Sequence, residues 1–167
     1  TNFWGTVKLT NELLPHFRKN RNGKIITIGS IVGLISLPNV AYYSASKHAL
    51  EGYFKALRFE LNQFKIQVSM VEPMGFKTNI GTSAVTAKGN ITDYDNFRQK
   101  IVAFTKNEFD KAADPEPVIN TVLKIVKEEK PKYSYPVGKR ASIILTLQRF
   151  AYNVFENSIL KSVMAAK

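Results

Sequence analysis

The pairing in this sequence most capable of chemistry is Tyr43-Ser44-Ala45-Ser46-Lys47. On a helix, positions i and i+4 share one face, so a phenol and an ammonium group stand one turn apart. A neighbouring cation favours the phenolate and lowers a tyrosine from its usual pKa of about 10 towards working pH, as general acid/base chemistry requires. Tyr42 has no lysine at that distance. The spacing alone is a weak signal, because Tyr135-Pro136-Val137-Gly138-Lys139 repeats it in a chain with seven tyrosines. That second copy contains Pro and Gly and follows a strand-like run, so its side chains would not share a helix face. What sets Tyr43 apart is Ser30, thirteen positions upstream at the end of a β-branched run, where a hydroxyl would stand at the edge of a sheet.

Regular elements must hold these side chains, and the apolar pattern supplies them. From Thr6 to Arg18, the residues Val7, Leu9, Leu13, Leu14 and Phe17 recur at helical spacing, and the polar run Lys19 to Gly23 follows as a turn. Lys24 to Ile28 is a β-branched run without alternation, as expected of a strand buried on both faces of a parallel sheet, and it stops at Gly29-Ser30. After a loop containing Leu37-Pro38-Asn39, Ala41 to Phe64 is the longest helix expected, with Ala45, Ala49, Leu50, Phe54, Leu57 and Leu61 as its stripe. Ile66 to Val71 is a second buried strand, closed by Glu72-Pro73-Met74-Gly75. Alternating strands and helices predict a parallel α/β sheet with ligands beyond the carboxyl ends of its strands.

Further along, Gly81 to Asp110 is irregular and then helical around Tyr94 to Phe109, a candidate substrate-covering insertion. Asp114-Pro115 reads as an N-cap followed by Pro at the first helical position, with Val118, Val122, Ile125 and Val126 behind it. That helix ends by Lys130-Pro131, and Lys132 to Val137 is a last strand. Ser142 to Met164 is an amphipathic helix or helix pair carrying Arg149 and Lys161 among Ile143, Leu147, Phe150, Val154 and Phe155. No internal repeat or low-complexity segment interrupts the chain.

Composition narrows the function classes. At 167 residues, 44% hydrophobic and 22% charged, the chain fits one ordinary globular domain. It has no cysteine, so disulfides and thiolate metal sites are excluded, and His16 and His48 cannot by themselves form a metal cage. A reducing compartment is compatible, and a cytoplasmic location is expected. The net charge of +11 raises a polyanionic partner, but the lysines are spread along the whole length, so the basic surface is read as solvated and no nucleic acid is expected. The apolar stretch Ala141 to Gln148 is far shorter than the roughly 20 residues of a membrane span. At most, a weak peripheral membrane contact is expected through the tail. The opening Thr1-Asn2-Phe3-Trp4-Gly5 has no initiator Met and no leader character, and is expected to be a cut through a longer protein.

Taken together, Ile26-Thr27-Ile28-Gly29-Ser30, the thirteen-residue step, Tyr-Ser-Ala-Ser-Lys and Val71-Glu72-Pro73-Met74-Gly75-Phe76-Lys77-Thr78 resemble the short-chain dehydrogenase/reductase family. The similarity runs from Asn2 to about Gly138. It implies a Rossmann-like, doubly wound parallel α/β sheet and an oxidoreductase that moves hydride between NAD or NADP and a small-molecule carbonyl/alcohol substrate. By resemblance, Tyr43 handles the proton, Lys47 lowers its pKa and binds the nicotinamide ribose, and Ser30 holds the substrate oxygen. Asn2 matches the asparagine of a proton relay. Thr78 matches the residue near the nicotinamide carboxamide, with the turn Pro73, Gly75 and Phe76 beside the ring. Where the family often has Gly directly after the Pro, this chain has Met74 and then Gly75.

The family's glycine-rich phosphate turn belongs upstream of everything present here. Gly29 to Ile35 lacks the third glycine and is followed by Ser36-Leu37-Pro38 in place of a helix. The amino-terminal dinucleotide-binding half is therefore expected to be absent, and with it the residues that choose between NAD and NADP. Residues 1–140 are read as the catalytic part, with 79–113 as the substrate insertion and 141–167 as a helical tail. The resemblance also implies a homodimer or homotetramer packed through the helices Thr6 to Arg18 and Ala41 to Phe64. Two other readings stand beside it: a truncated, catalytically incompetent module, and a peripheral membrane or polyanion binder using Arg149 and Lys161.

Overall fold

A computed structural model describes residues 1–78 and 91–166. The first part of the expected insertion, residues 79–90, lies outside the described residues. Helix α1, Trp4–Asn20, turns Val7, Thr10 and Leu14 inward, the three-to-four spacing of a single buried stripe. Its last turn carries Arg18 and Lys19, cations at the negative end of the helix dipole. Strand β1, Gly23–Ile28, follows, and helix α2, Ala41–Leu61, buries Leu50, Phe54, Leu57 and Leu61. Strand β2 is Ile66–Pro73, helix α3 Asp95–Asp110, helix α4 Glu116–Lys127 and strand β3 Ser134–Val137. Helices α5, Ala141–Phe150, and α6, Tyr152–Met164, break at Ala151, so the amphipathic tail is a pair of helices.

The chain divides into two compact units. One comprises Thr1–Met74 with Glu116–Ala141; the other comprises Gly75–Pro115 with Ser142–Lys167. The first is built on a sheet of order β1-β2-β3, all parallel, with Ile28 opposite Val71 and Pro73 opposite Val137. Strand β2 is the centre. Its residues Ile66, Val68 and Met70 join Leu14 of α1 and Leu50, Phe54, Leu57 and Leu61 of α2 in one core. Helix α4 packs against all three strands. Parallel strands need long crossovers, and α2 provides the one from β1 to β2.

Two expectations change. Strand β1 is not enclosed on both faces: Ile25 and Ile26 are half-buried and Ile28 is 47% exposed, because among the described residues β1 pairs with β2 alone and forms an edge of the sheet. Helix α4 begins at Glu116, so Pro115 stands just ahead of it and Pro117 lies in its first turn, where a missing N–H removes no helical bond.

In the second unit, α3 packs on α6, burying Ile101, Phe155 and Val163, and Lys100 Nζ donates to the Met164 carbonyl at 2.8 Å. Phe76 and Ala113 form an isolated parallel bridge. Arg149 and Lys161 are exposed, the first stacked over the Phe150 ring at 5.4 Å. Among the described residues no helix is long and apolar enough to cross a membrane.

Candidate active site

The carboxyl end of β1 and the first turns of α2 build the site in the first unit. Gly29 extends the sheet by one bond, its N–H donating to the Val71 carbonyl at 2.8 Å, and Ser30 then leaves it in an extended conformation. The chain turns at once into a short 3-10 segment, Ile31–Gly33, whose Val32 N–H donates to Ser30 Oγ at 3.4 Å. That bond is long, and it leaves the Ser30 hydroxyl half-buried and able to donate.

The 3-10 segment presses directly on α2. A Cβ on Gly33 would stand 3.0 Å from the Lys47 carbonyl oxygen and 3.3 Å from Glu51 Cγ, so any side chain there would force the two segments apart by a few tenths of an ångström. The contact brings the Ser30 turn against the stretch of helix that carries the tyrosine and lysine. Lys47 Nζ lies 5.6 Å from the centre of the Tyr43 ring and donates to the Ile28 carbonyl at 3.4 Å. Tyr43 and Lys47 are both half-buried, whereas Tyr42 is 95% exposed.

Burial pushes the Lys47 ammonium below its ordinary pKa, and the Glu51 carboxylate pulls it back up. Glu51 is itself buried; desolvation raises it, while a hydrogen bond from Tyr133 and the neighbouring Lys55, His48 and Lys47 oppose the rise. Tyr133 Oη donates to Glu51 Oε2 at 3.1 Å. On β2, the fully buried Glu72 accepts from the Tyr135 backbone N–H at 2.8 Å and is pushed up to about 7, chiefly by burial, with Glu51 adding to the rise. The sequence pointed to neither acid. Both signals were present: Glu51 continues the i, i+4 series of Tyr43 and Lys47, and Glu72 is a charge inside a buried strand.

The remaining expected residues are placed separately. Asn2 is exposed in the turn ahead of α1, where its carbonyl accepts from Thr6 Oγ1 at 3.4 Å; among the described residues its side chain forms no hydrogen bond with Lys47. Pro73 ends β2, and the next N–H, of Met74, donates to the Val137 carbonyl at 2.9 Å. In the second unit, Gly75 adopts a φ of 59°, and apart from its chain neighbours no atom of the described residues lies within 4 Å of where a Cβ would be. Phe76 is buried and Thr78 is exposed. Tyr135, the competing tyrosine, lies in β3 with its hydroxyl committed to the Glu128 carboxylate, so it shares no helix face with Lys139.

The family model described as short chain dehydrogenase matches residues 1–103. The chain belongs to the short-chain dehydrogenase family. Among curated relatives, dehydrogenase/reductase SDR family member 7B of Xenopus tropicalis is 36% identical over 93% of this chain and 47% of its own length. A 3-ketodihydrosphingosine reductase of Bacteroides thetaiotaomicron is 37% identical over 86% of this chain and 54% of its own length. A solved short-chain dehydrogenase from Streptomyces avermitilis is similar with a TM-score of 0.73 and 26% identity, over 99% of this chain and 60% of that one. One from Burkholderia cenocepacia, solved in complex with NADP, shares the fold with a TM-score of 0.70 at 19% identity, over 95% of this chain and 56% of that one. This short-chain dehydrogenase chain thus spans about half the length of the curated relatives it matches.

Proposed function

We propose that this chain carries the proton-handling part of an NAD(P)-dependent oxidoreductase that interconverts a carbonyl and an alcohol. The observation that carries the reading is the Lys47 ammonium 5.6 Å from the Tyr43 ring centre while hydrogen-bonded to the Ile28 carbonyl, two residues before Ser30. In the reducing direction, the Tyr43 hydroxyl gives its proton to the substrate oxygen. Lys47 stabilises the negative charge left on the phenol oxygen. The Ser30 hydroxyl donates to the substrate oxygen and orients it. A bound nicotinamide supplies or accepts the hydride at the substrate carbon. In oxidation each proton runs the other way.

Residues suited to hold that cofactor are present. Lys47 offers ammonium donors to ribose hydroxyls, and Tyr43 stands beside it. The turn of Pro73, Gly75, Phe76 and Thr78 follows the central strand, and Gly75, where a Cβ would meet no other atom of the described residues, allows a flat ring to approach backbone. Asn2 is assigned to the proton relay behind Lys47. The NADP complex of the Burkholderia cenocepacia protein and the reductase name of the Bacteroides relative support a nicotinamide cofactor and a small carbonyl substrate.

The dinucleotide-binding half is assigned to polypeptide outside these residues. The open edge of β1, with Ile25, Ile26 and Ile28 not fully enclosed, suits the addition of further strands. Residues 1–140 then form the catalytic part, 79–113 the substrate cover and 141–167 a helical tail. Leu9 and Leu13, one turn apart on α1 and 64% and 45% exposed, suit packing against a second copy in a homodimer or homotetramer.

The test is turnover of a carbonyl panel by the full-length protein with NADPH and NADH. Tyr43→Phe should lower turnover by at least about 10² and leave the melting temperature within a few degrees of the parent; turnover at the parent rate in that variant overturns the assignment.

A further inference from the structure

Beneath the candidate site lies a group of acids that the proton transfer just described does not use. Glu51 is 6% exposed and stands one helical turn beyond Lys47 on α2. Its Oε1 points towards the strand end, 3.4 Å from where Gly29 would carry a Cβ, and has no hydrogen-bond partner among the described residues. Its Oε2 accepts from Tyr133 Oη, which also donates to the Glu51 backbone carbonyl at 2.8 Å. The carboxylate is therefore clamped from the side of β3 and aimed at the segment Ile28 to Ser30, where the Lys47 ammonium is also bound. An unpaired buried carboxylate oxygen is costly unless a positive charge lies nearby.

The charged neighbours make the direction unambiguous. On its own helix Glu51 meets Lys47, His48 and Lys55; from the segment ahead of β3 it meets Tyr133, over whose ring Lys55 Nζ sits at 5.5 Å. Among the described residues, Glu72 of β2 is the other carboxylate that acts on this cluster, and Arg58 reaches it through Tyr133. Of the two acids, Glu51 is the partner nearer the lysine in sequence and on the same helix, and the basic groups around it oppose the rise that burial imposes on its carboxyl.

We propose that Glu51 is a positioning residue for Lys47: its clamped, buried carboxylate keeps the lysine head charged and held at the strand end where Tyr43 needs it. This rests on the assignment of Tyr43 and Lys47 above. Burial works against the lysine's charge, and Glu51 is the group that opposes it.

The experiment follows the Lys47 head group directly, by NMR of isotope-labelled lysine in the folded full-length protein, alongside the pH dependence of turnover. Glu51→Gln keeps the shape and removes the charge. It should weaken proton binding at Lys47 by roughly tenfold, the scale of one close charge. The alkaline limb of kcat should move to lower pH by the same factor while KM changes little. Glu51→Asp should recover part of the shift. Tyr133→Phe, which removes the clamp and its hydrogen bond while leaving the carboxyl group in place, should give a smaller shift in the same direction and serves if Glu51→Gln does not fold. A Lys47 titration that is identical in the parent, Glu51→Gln and Tyr133→Phe overturns the proposal. The titration needs no turnover, so an inactive parent protein counts against the Tyr43 assignment while the Glu51 proposal is still decided by the lysine signal.

Discussion

Lys47 holds its ammonium 5.6 Å from the centre of the Tyr43 ring, one turn further along α2. The pair is half-buried, and the lysine also donates to a backbone carbonyl, that of Ile28, while burial and the Glu51 carboxylate act on its charge in opposite directions. Removing the proposed proton donor or its cation should therefore affect chemistry more than folding. Tyr43→Phe and Lys47→Met are expected to lower kcat of the full-length protein by about 10²–10⁴, the range of general acid/base catalysis. Circular dichroism melts should match the parent within a few degrees.

The Ser30 turn depends on the absence of a side chain at Gly33. A methyl group there meets the Lys47 carbonyl oxygen at 3.0 Å, a backbone atom that cannot swing away. Gly33→Ala should cost about 1–3 kcal/mol, as overpacking does. It should also push the turn off α2 and lower kcat by at least about tenfold, since small displacements in a reacting geometry are expensive. Urea unfolding and steady-state kinetics on the same variant check the two effects together.

Glu72 is fully buried on β2 and pushed up to about 7 from the ordinary 4.5. A carboxyl raised in the folded state holds its proton there more tightly than in the unfolded chain. Its contribution to stability is fully present below the unfolded pKa and is lost as pH rises through about 7. Stability should accordingly decline between pH 4.5 and 7, by an amount on the order of 1–3 kcal/mol. Glu72→Gln should flatten that decline and be more stable than the parent above pH 7. Denaturant midpoints measured across this pH range in both proteins decide it.

The legible part of this molecule is whatever depends on local periodicity. The β-branched run ending at Ile28, the stripe Leu50, Phe54, Leu57 and Leu61, and the i, i+4 placement of Tyr43 and Lys47 follow from neighbours a few residues away. What escaped was set by distant partners. The exposure of Ile28 depends on which strands flank β1. The clamp on Glu51 comes from Tyr133, 82 residues later. A carboxylate on a helix reads as solvated until the element covering it is known, and here that cover is the segment leading into β3.

Lys24 shows the same long reach and gives a clean stability test. It lies near the start of β1, and its Nζ donates to the carbonyls of Ile125 and Val126 at 3.1 and 2.7 Å and to that of Glu128. These are carbonyls of the last turn of α4 and just beyond, which a helix end leaves without internal partners. A lysine there satisfies them and places a positive charge at the negative end of the helix dipole, while tying α4 to the edge strand. Lys24→Met keeps the aliphatic stem and removes every donor. The partly buried carbonyls then lose their bonds, at a cost of about 1–3 kcal/mol. Lys24→Arg, which retains donors and charge, should recover part of the loss. Hydrogen exchange should quicken in the last turn of α4 in the Met variant and remain at the parent rate in α1, because only the former loses its bonds; uniform exchange in both helices would show that Lys24 does not cap α4.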